Sequence, residues 1–256
     1  MNWKTFWAML RRDAHVARRN FVPLLLQTLV QPMLFVFIFG RIMTTGGLLP
    51  ERYKSLLLPG IIAISMVLSG IQGVVMPLIA EFQFSREIED RLLAPIHIEW
   101  LAVEKLVAGT LQALATGLFV IPAAWLVMGS GVEVSFQHPI HFLLVALLVA
   151  FLASGVGLVL GCTVNPTQIG LMFTLVFGPM IFFGCTYYPW STLDSFPLLQ
   201  KLVLLNPMVY ASEGFRAATV PEFPHLSNLI CFSGLVTFDL IFLTLGLRQF
   251  RAKAIG

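Results

Sequence analysis

From residue 134 to residue 193 the chain carries no Asp, Glu, Lys or Arg, and two further stretches, 55–80 and 106–132, are equally free of charge. A soluble domain has no means of covering such runs with polar surface. Roughly a quarter of the residues of an ordinary soluble domain are charged, whereas here the fraction is 11%, against 57% hydrophobic. About 20 apolar residues in a helix cross a bilayer, so the run from 134 to 193 must hold two crossings. The chain reads as an all-α integral membrane protein.

Six spans follow from the charge and turn pattern: 22–44, 56–80, 101–128, 140–163, 168–186 and 226–247. The break between the fourth and fifth falls at Asn165-Pro166-Thr167-Gln168, where Asn and Pro favour a turn. The second span opens with Leu56-Leu57-Leu58-Pro59-Gly60. Residues 187–224 lie outside the spans, yet Phe196 to Leu205 is apolar. Ten residues are too few to cross, so this piece is expected as a short re-entrant or surface helix framed by Pro197 and Asn206-Pro207. Tyr187, Tyr188 and Trp190 suit an interfacial belt.

Two segments are amphipathic. On a helical wheel of residues 1–21, Trp3, Phe6, Trp7 and Leu10 share one face, while Lys4, Arg11, Arg12, His15, Arg18 and Arg19 take the other. That pattern predicts a helix lying in the membrane interface rather than a cleavable signal peptide, since no short apolar core and small-residue cleavage site follow the basic start. The second segment, Glu81 to Pro95, gathers Glu81, Arg86, Glu87, Glu89, Asp90 and Arg91 between two uncharged runs. As a helix it pairs Arg86 with Asp90 and Glu87 with Arg91 at i,i+4, and it aligns Phe84, Ile88 and Leu92 as one apolar stripe. Pro95 ends it. Such a helix either solvates a loop or touches something outside the bilayer.

An even number of spans puts both termini on one side, together with the Glu81–Pro95 knot. That side holds Lys4, Arg11, Arg12, Arg18, Arg19, Arg86, Arg91, Lys105, Arg248, Arg251 and Lys253. The other holds only Arg41, Arg52, Lys54, Lys201 and Arg216. The excess of Lys and Arg makes the termini and the knot cytoplasmic.

Several chemistries are set aside. A phosphate-binding P-loop needs Gly-Lys followed by Ser or Thr, and none of the five lysines follows a glycine. Cys162, Cys185 and Cys231 form no metal or disulfide framework. His138 and His141 straddle a proline and read as a polar loop rather than a metal site. Asn165-Pro166 and Asn206-Pro207 lie too close together for the paired half-helices of a water channel. Asp239 is an acid deep in the last span, either a functional carboxylate such as a proton relay or a structural hydrogen-bond partner. Met172, Phe173, Phe177 and Met180 in the fifth span suit either a path for bulky apolar substrates or ordinary packing.

Taken together, these features resemble the membrane permease of an ATP-binding-cassette exporter of the ABC-2 type. The resemblance is carried by the basic helix before the first span, by Leu56 to Gly60, and by S-R-E-I-E-D-R-L-L-A-P-I from Ser85. It continues in L-N-P-M-V-Y-A-S-E-G-F-R from Leu205 to Arg216. It implies a permease with no nucleotide site of its own, in the bacterial cytoplasmic (inner) membrane and in contact with lipid. ATP and Mg would sit on a separate cytoplasmic ATPase subunit. Two permeases, a homodimer in the simplest case, would form the path, lined by the second and fifth spans. By position, Arg86, Glu87, Glu89, Asp90 and Arg91 would form the ATPase-coupling helix, beside the interface helix carrying Trp3, Trp7, Arg11, Arg12, Arg18 and Arg19. The expected cargo is hydrophobic or amphipathic (a drug, lipid or lipid-linked glycan), with no role for nucleic acid. The alternative is a proton-coupled transporter working alone, or a membrane-embedded enzyme using Asp239.

Overall fold

The computed structural model describes Trp7 and residues 10–12, 21–84, 98–129 and 138–255. Among the described residues every regular element is helical. In chain order the α-helices of four or more residues are α1 (Phe21–Phe35), α2 (Tyr53–Ile79), α3 (Ile98–Met128), α4 (Pro139–Thr163), α5 (Ile169–Met172), α6 (Gly178–Phe182), α7 (Pro197–Leu202), α8 (Pro207–Thr219) and α9 (Asn228–Ile255). π-helical turns extend α1 over Val36–Ile42 and α2 over Ala80–Phe84, and another, Phe173–Phe177, joins α5 to α6.

Among the described residues four helices are long and apolar enough to cross a bilayer: Tyr53–Phe82, Ile98–Met128, Pro139–Thr163 and Asn228–Ile255. The apolar pieces Pro32–Thr45 and Gly170–Phe182 are shorter. α2 is the axis of the bundle. It packs against α1, α3, α4 and α8, and every residue from Lys54 to Gln72 is buried. A helix apolar all round belongs inside a bundle, and the sequence of α2 is of that kind. The outer helices turn apolar faces outward instead, as with Leu118 and Leu126 of α3 and Leu229 of α9. That inside-out arrangement suits lipid as solvent.

In lipid, hydrophobicity does not drive helices together, so close packing and interhelical hydrogen bonds must. The seams are accordingly built from small residues. Gly70 of α2 faces Ala113 and Ala153, and Gly157 of α4 faces the Ile71 backbone. Hydroxyls cross the same seams, with Ser69 and Thr116 at 2.6 Å and Thr110 and Ser154 at 3.1 Å. α4 and α9 run in the same direction, since Gly155 lies against Phe242 and Gly246 against Leu158.

The sequence reading gave no helix to 207–219, which it placed in an external connection. α8 is instead buried along its length, packed on α2, α4 and α9. Small residues (Ala211, Ser212, Gly214, Ala217, Ala218) allow that insertion, and Asn206 starts the helix by accepting from Met208 N at 3.0 Å with Pro207 in its first turn.

Candidate functional site

At one end of the bundle, landmarks far apart in sequence converge on the turn after α6, residues 183–188. The first is Gly60, from the Leu-Leu-Leu-Pro-Gly stretch. A Cβ there would fall on the Thr186 backbone carbonyl, so only glycine lets α2 pass so close. Tyr53, two turns earlier, donates its hydroxyl to Tyr187 O at 2.7 Å. The second landmark is the Leu205–Arg216 segment. Asn206 Nδ2 donates to Met180 O at 2.8 Å, tying the start of α8 to α6. Cys185, at the centre of the turn, is fully buried and has φ of 52°. A non-glycine residue held in the left-handed region is strained by about 1–2 kcal/mol, so its surroundings must over-determine it.

What holds it is a buried ion pair. Glu213 and Arg216, both on α8 and both fully buried, are paired side chain to side chain. Arg216 also donates to Cys185 O at 3.0 Å. Glu213 accepts from Trp190 N at 2.9 Å through Oε1, and from Leu226 N at 2.8 Å through Oε2. One carboxylate therefore ties together the chain entering α7 and the chain entering α9, and its arginine fixes the turn between α6 and Trp190. Burial raises the Tyr187 and Tyr188 phenols above their ordinary value, so both remain neutral; Tyr188 donates to Phe182 O at 2.8 Å.

Beside this junction an apolar groove of about 570 Å³ opens between α4, α6, α7 and α9, lined by Val156, Leu160, Met180, Phe183, Leu202 and Phe242 among others. Of the four residues expected along a substrate path, Met180 lines this groove, while Met172 and Phe177 are buried in the main apolar cluster. The Phe173 side chain lies outside what the structure describes.

The opposite end carries a second buried charge cluster. Lys105 Nζ of α3 lies 2.7 Å from Glu81 Oε1, in the π-helical turn closing α2, and 3.5 Å from Glu104 Oε2. All three residues are buried. Next to them Phe82 meets the Phe250 ring edge-on at 5.7 Å, and Lys253 Nζ sits 5.0 Å above the Phe82 ring. The chain between these flanks contains Arg86, Glu87, Glu89, Asp90 and Arg91, which lie outside the described residues. So do Trp3, Arg18 and Arg19; Trp7, Arg11 and Arg12 are described and exposed.

Asp239 of α9 is buried, and both of its carboxylate oxygens lack a hydrogen-bond partner among the described residues. His141 packs on the Phe232 ring at 5.2 Å, and no group of three His, Cys, Asp or Glu that could hold a metal ion occurs among the described residues. Sequence reasoning passed over Glu213, Arg216, Glu104 and Cys185. A signal existed for the first two: opposite charges three apart in a segment otherwise made of small and apolar residues.

An all-helical membrane bundle with its sequence landmarks gathered at two polar ends defines the class of a multi-span membrane protein. The chain belongs to the ABC-2 type transporter family, whose model matches residues 4–220. It is similar to the inner membrane transport permease YadH of Escherichia coli strain K12, at 28% identity over 220 residues, covering 82% of each chain. The same permease of Shigella flexneri matches equally, at 28% identity over 82% of each chain.

Proposed function

We propose that this chain is the membrane permease of an ATP-driven exporter, moving a hydrophobic or amphipathic substrate outward under the power of a separate ATPase subunit. The observation that carries the proposal is family membership over residues 4–220, together with a charged sequence segment, 81–95, whose described flanks, Glu81 and Lys105, meet in one buried ion cluster. In this reading α1 with its π-helical extension and the α5–α6 stretch complete six spans. Both termini and the 81–95 segment face the cytoplasm of a bacterium's inner membrane, and α7 lies at the outer surface. Exposed Leu198, Leu202 and Leu205, at i, i+4 and i+7, favour immersion of that short helix in the outer leaflet. Two copies form the transport unit, and ATP with Mg is bound by the ATPase.

The first test is affinity purification of the chain from its native membrane in mild detergent. An ATPase subunit of about equal abundance is expected to accompany it, with ATP hydrolysis in the eluate. Charge reversal by Glu87→Arg together with Glu89→Arg is expected to leave the permease folded but free of ATPase, because opposed charge sets register and partner choice at an interface. ATPase retained at wild-type abundance by that variant would remove the coupling assignment.

The buried, unpartnered carboxylate of Asp239 favours a second reading, a transporter or enzyme working alone. A carboxylate buried without partners is expensive when charged, and an amide of the same shape fits the position of its neutral form. Under the exporter reading Asp239→Asn keeps full nucleotide-dependent transport activity. A proton relay through Asp239 would instead lose activity with that single change, in vesicles where both gradients are controlled.

A further inference from the structure

A contribution to stability does not by itself account for the buried Glu81–Lys105–Glu104 cluster. Replacing a buried ion pair with apolar side chains of similar volume is often neutral or even stabilising, because the charges no longer have to be desolvated. The best-attested use of such a pair is to fix register between packed elements, and its position here indicates what is registered. Glu81 sits in the π-helical turn that closes α2 and Lys105 lies two turns into α3, so a contact of 2.7 Å joins the two helices that flank the charged segment. The α2 helix widens to a π-turn over Ala80–Phe84, where Glu81 is delivered, and π-turns within helices are frequent at functional sites. Phe82, one residue on, carries the contact to Phe250 of α9 and lies beneath Lys253. Lys253 in turn donates to Gly161 O of α4 at 3.4 Å. The ends of all four long helices therefore meet around one polar point.

We propose that this cluster is the joint through which displacement of the charged segment moves α2 and α3 as one rigid unit and carries α4 and α9 with them. The proposal rests on the reading that an ATPase docks on residues 81–95, and it adds which residues transmit the motion once docking has occurred. Glu81, Glu104 and Lys105 are positioning residues: they touch neither nucleotide nor substrate. A load on the segment cannot part α2 from α3 while the pair holds, so it tilts both helices together. Without the pair, each helix end yields separately and the movement is dissipated before it reaches the far end of the bundle.

The test uses the permease–ATPase complex in lipid vesicles, with Leu198→Cys on exposed α7 as a reporter for a membrane-impermeant maleimide; Cys162, Cys185 and Cys231 are all buried. Removing one charge would leave its partners uncompensated and could unfold the chain, so the first variant is the neutral triple Glu81→Gln, Glu104→Gln, Lys105→Met. It is expected to retain stoichiometric ATPase and to hydrolyse ATP, while the nucleotide-dependent change in labelling at position 198 falls about fivefold or more, the lower range of typical coupling between sites. The exchange Glu81→Lys with Lys105→Glu, made with Glu104→Gln so that no second carboxylate faces position 105, is expected to restore the response. A full response in the neutral triple overturns the proposal, as does a folded exchange variant that stays as unresponsive as the triple. Loss of ATPase from the triple alone would make the cluster part of the docking surface and overturn it too. Absence of ATPase from the wild-type preparation would instead bring down the docking reading, and this inference with it.

Discussion

Glu213→Ala is expected to destabilise the protein by about 3–5 kcal/mol, the usual consequence of removing one partner of a buried ion pair. The change leaves Arg216 charged and fully buried with a single carbonyl, Cys185 O, among its described side-chain partners. It also strands two backbone donors, Trp190 N and Leu226 N, that the carboxylate had satisfied. Glu213→Gln is informative because it keeps the shape. Its amide nitrogen must face either Leu226 N or the Trp190 N and Arg216 side, and each of these is a donor, so one donor–donor opposition is unavoidable. Arg216→Met should be milder, since Glu213 keeps both backbone amides. The expected order of melting temperatures in detergent is wild type, then Arg216→Met, then Glu213→Gln, then Glu213→Ala. With Trp3, Trp7, Trp100 and Trp125 replaced by phenylalanine, Trp190 fluorescence gives a local readout, because its backbone is held by Glu213 and its indole N–H donates to Gln200 O at 3.1 Å. A Glu213→Ala variant that melts with the wild type would show that the pair does not hold this end together.

Much of the fold could be read from charge alone, because a bilayer imposes long uncharged helices and places charges at their ends. The same habit hid the sites. Lys105 and Arg216 counted only as charges that mark a side of the membrane in the topology argument, yet both are buried in ion pairs. Their partners differ in how visible they were. Glu213 stands three residues from Arg216, a helical spacing readable in the sequence once 207–219 is taken as a helix. Glu81 stands 24 residues from Lys105, and no local pattern predicts that contact; it depends on how α2 and α3 return to one point. α8 itself was concealed by its composition. It is a short core helix that mixes small residues (Ala211, Ser212, Gly214, Ala217, Ala218) with Met208, Val209, Phe215 and one charged pair, so neither apolar periodicity nor length marked it as buried. The convergence on residues 183–188 was also unreadable, because a glycine needed for close approach looks in sequence like any other.

Gly60 is where that distinction is most testable. Gly60→Ala adds one methyl group, and its Cβ would lie on the Thr186 carbonyl oxygen, with the Thr186 carbonyl carbon and Cα also inside 3 Å. Every one of those atoms is backbone, so no side-chain rotation relieves the clash and either α2 or the 183–188 turn must move. Overpacking a core by a methylene costs typically about 1–3 kcal/mol, and a clash with fixed backbone belongs at the top of that range or above it. The turn is the weaker partner, since Cys185 already holds a strained backbone. Displacing it breaks the Tyr53–Tyr187 and Arg216–Cys185 bonds together. The expected outcome is a lower melting temperature and a Cys185 thiol that becomes reactive to a small maleimide, in a background where Cys162 and Cys231 are serine. Gly170→Ala is the matched control: nothing lies within 4 Å of its Cβ, and alanine in a helix is favoured over glycine by up to about 1 kcal/mol. The two substitutions add the same methyl group and are expected to move stability in opposite directions. If Gly60→Ala instead behaves like Gly170→Ala, α2 does not approach the 183–188 turn as closely as its backbone indicates, and the junction is not the anchor of this end of the bundle.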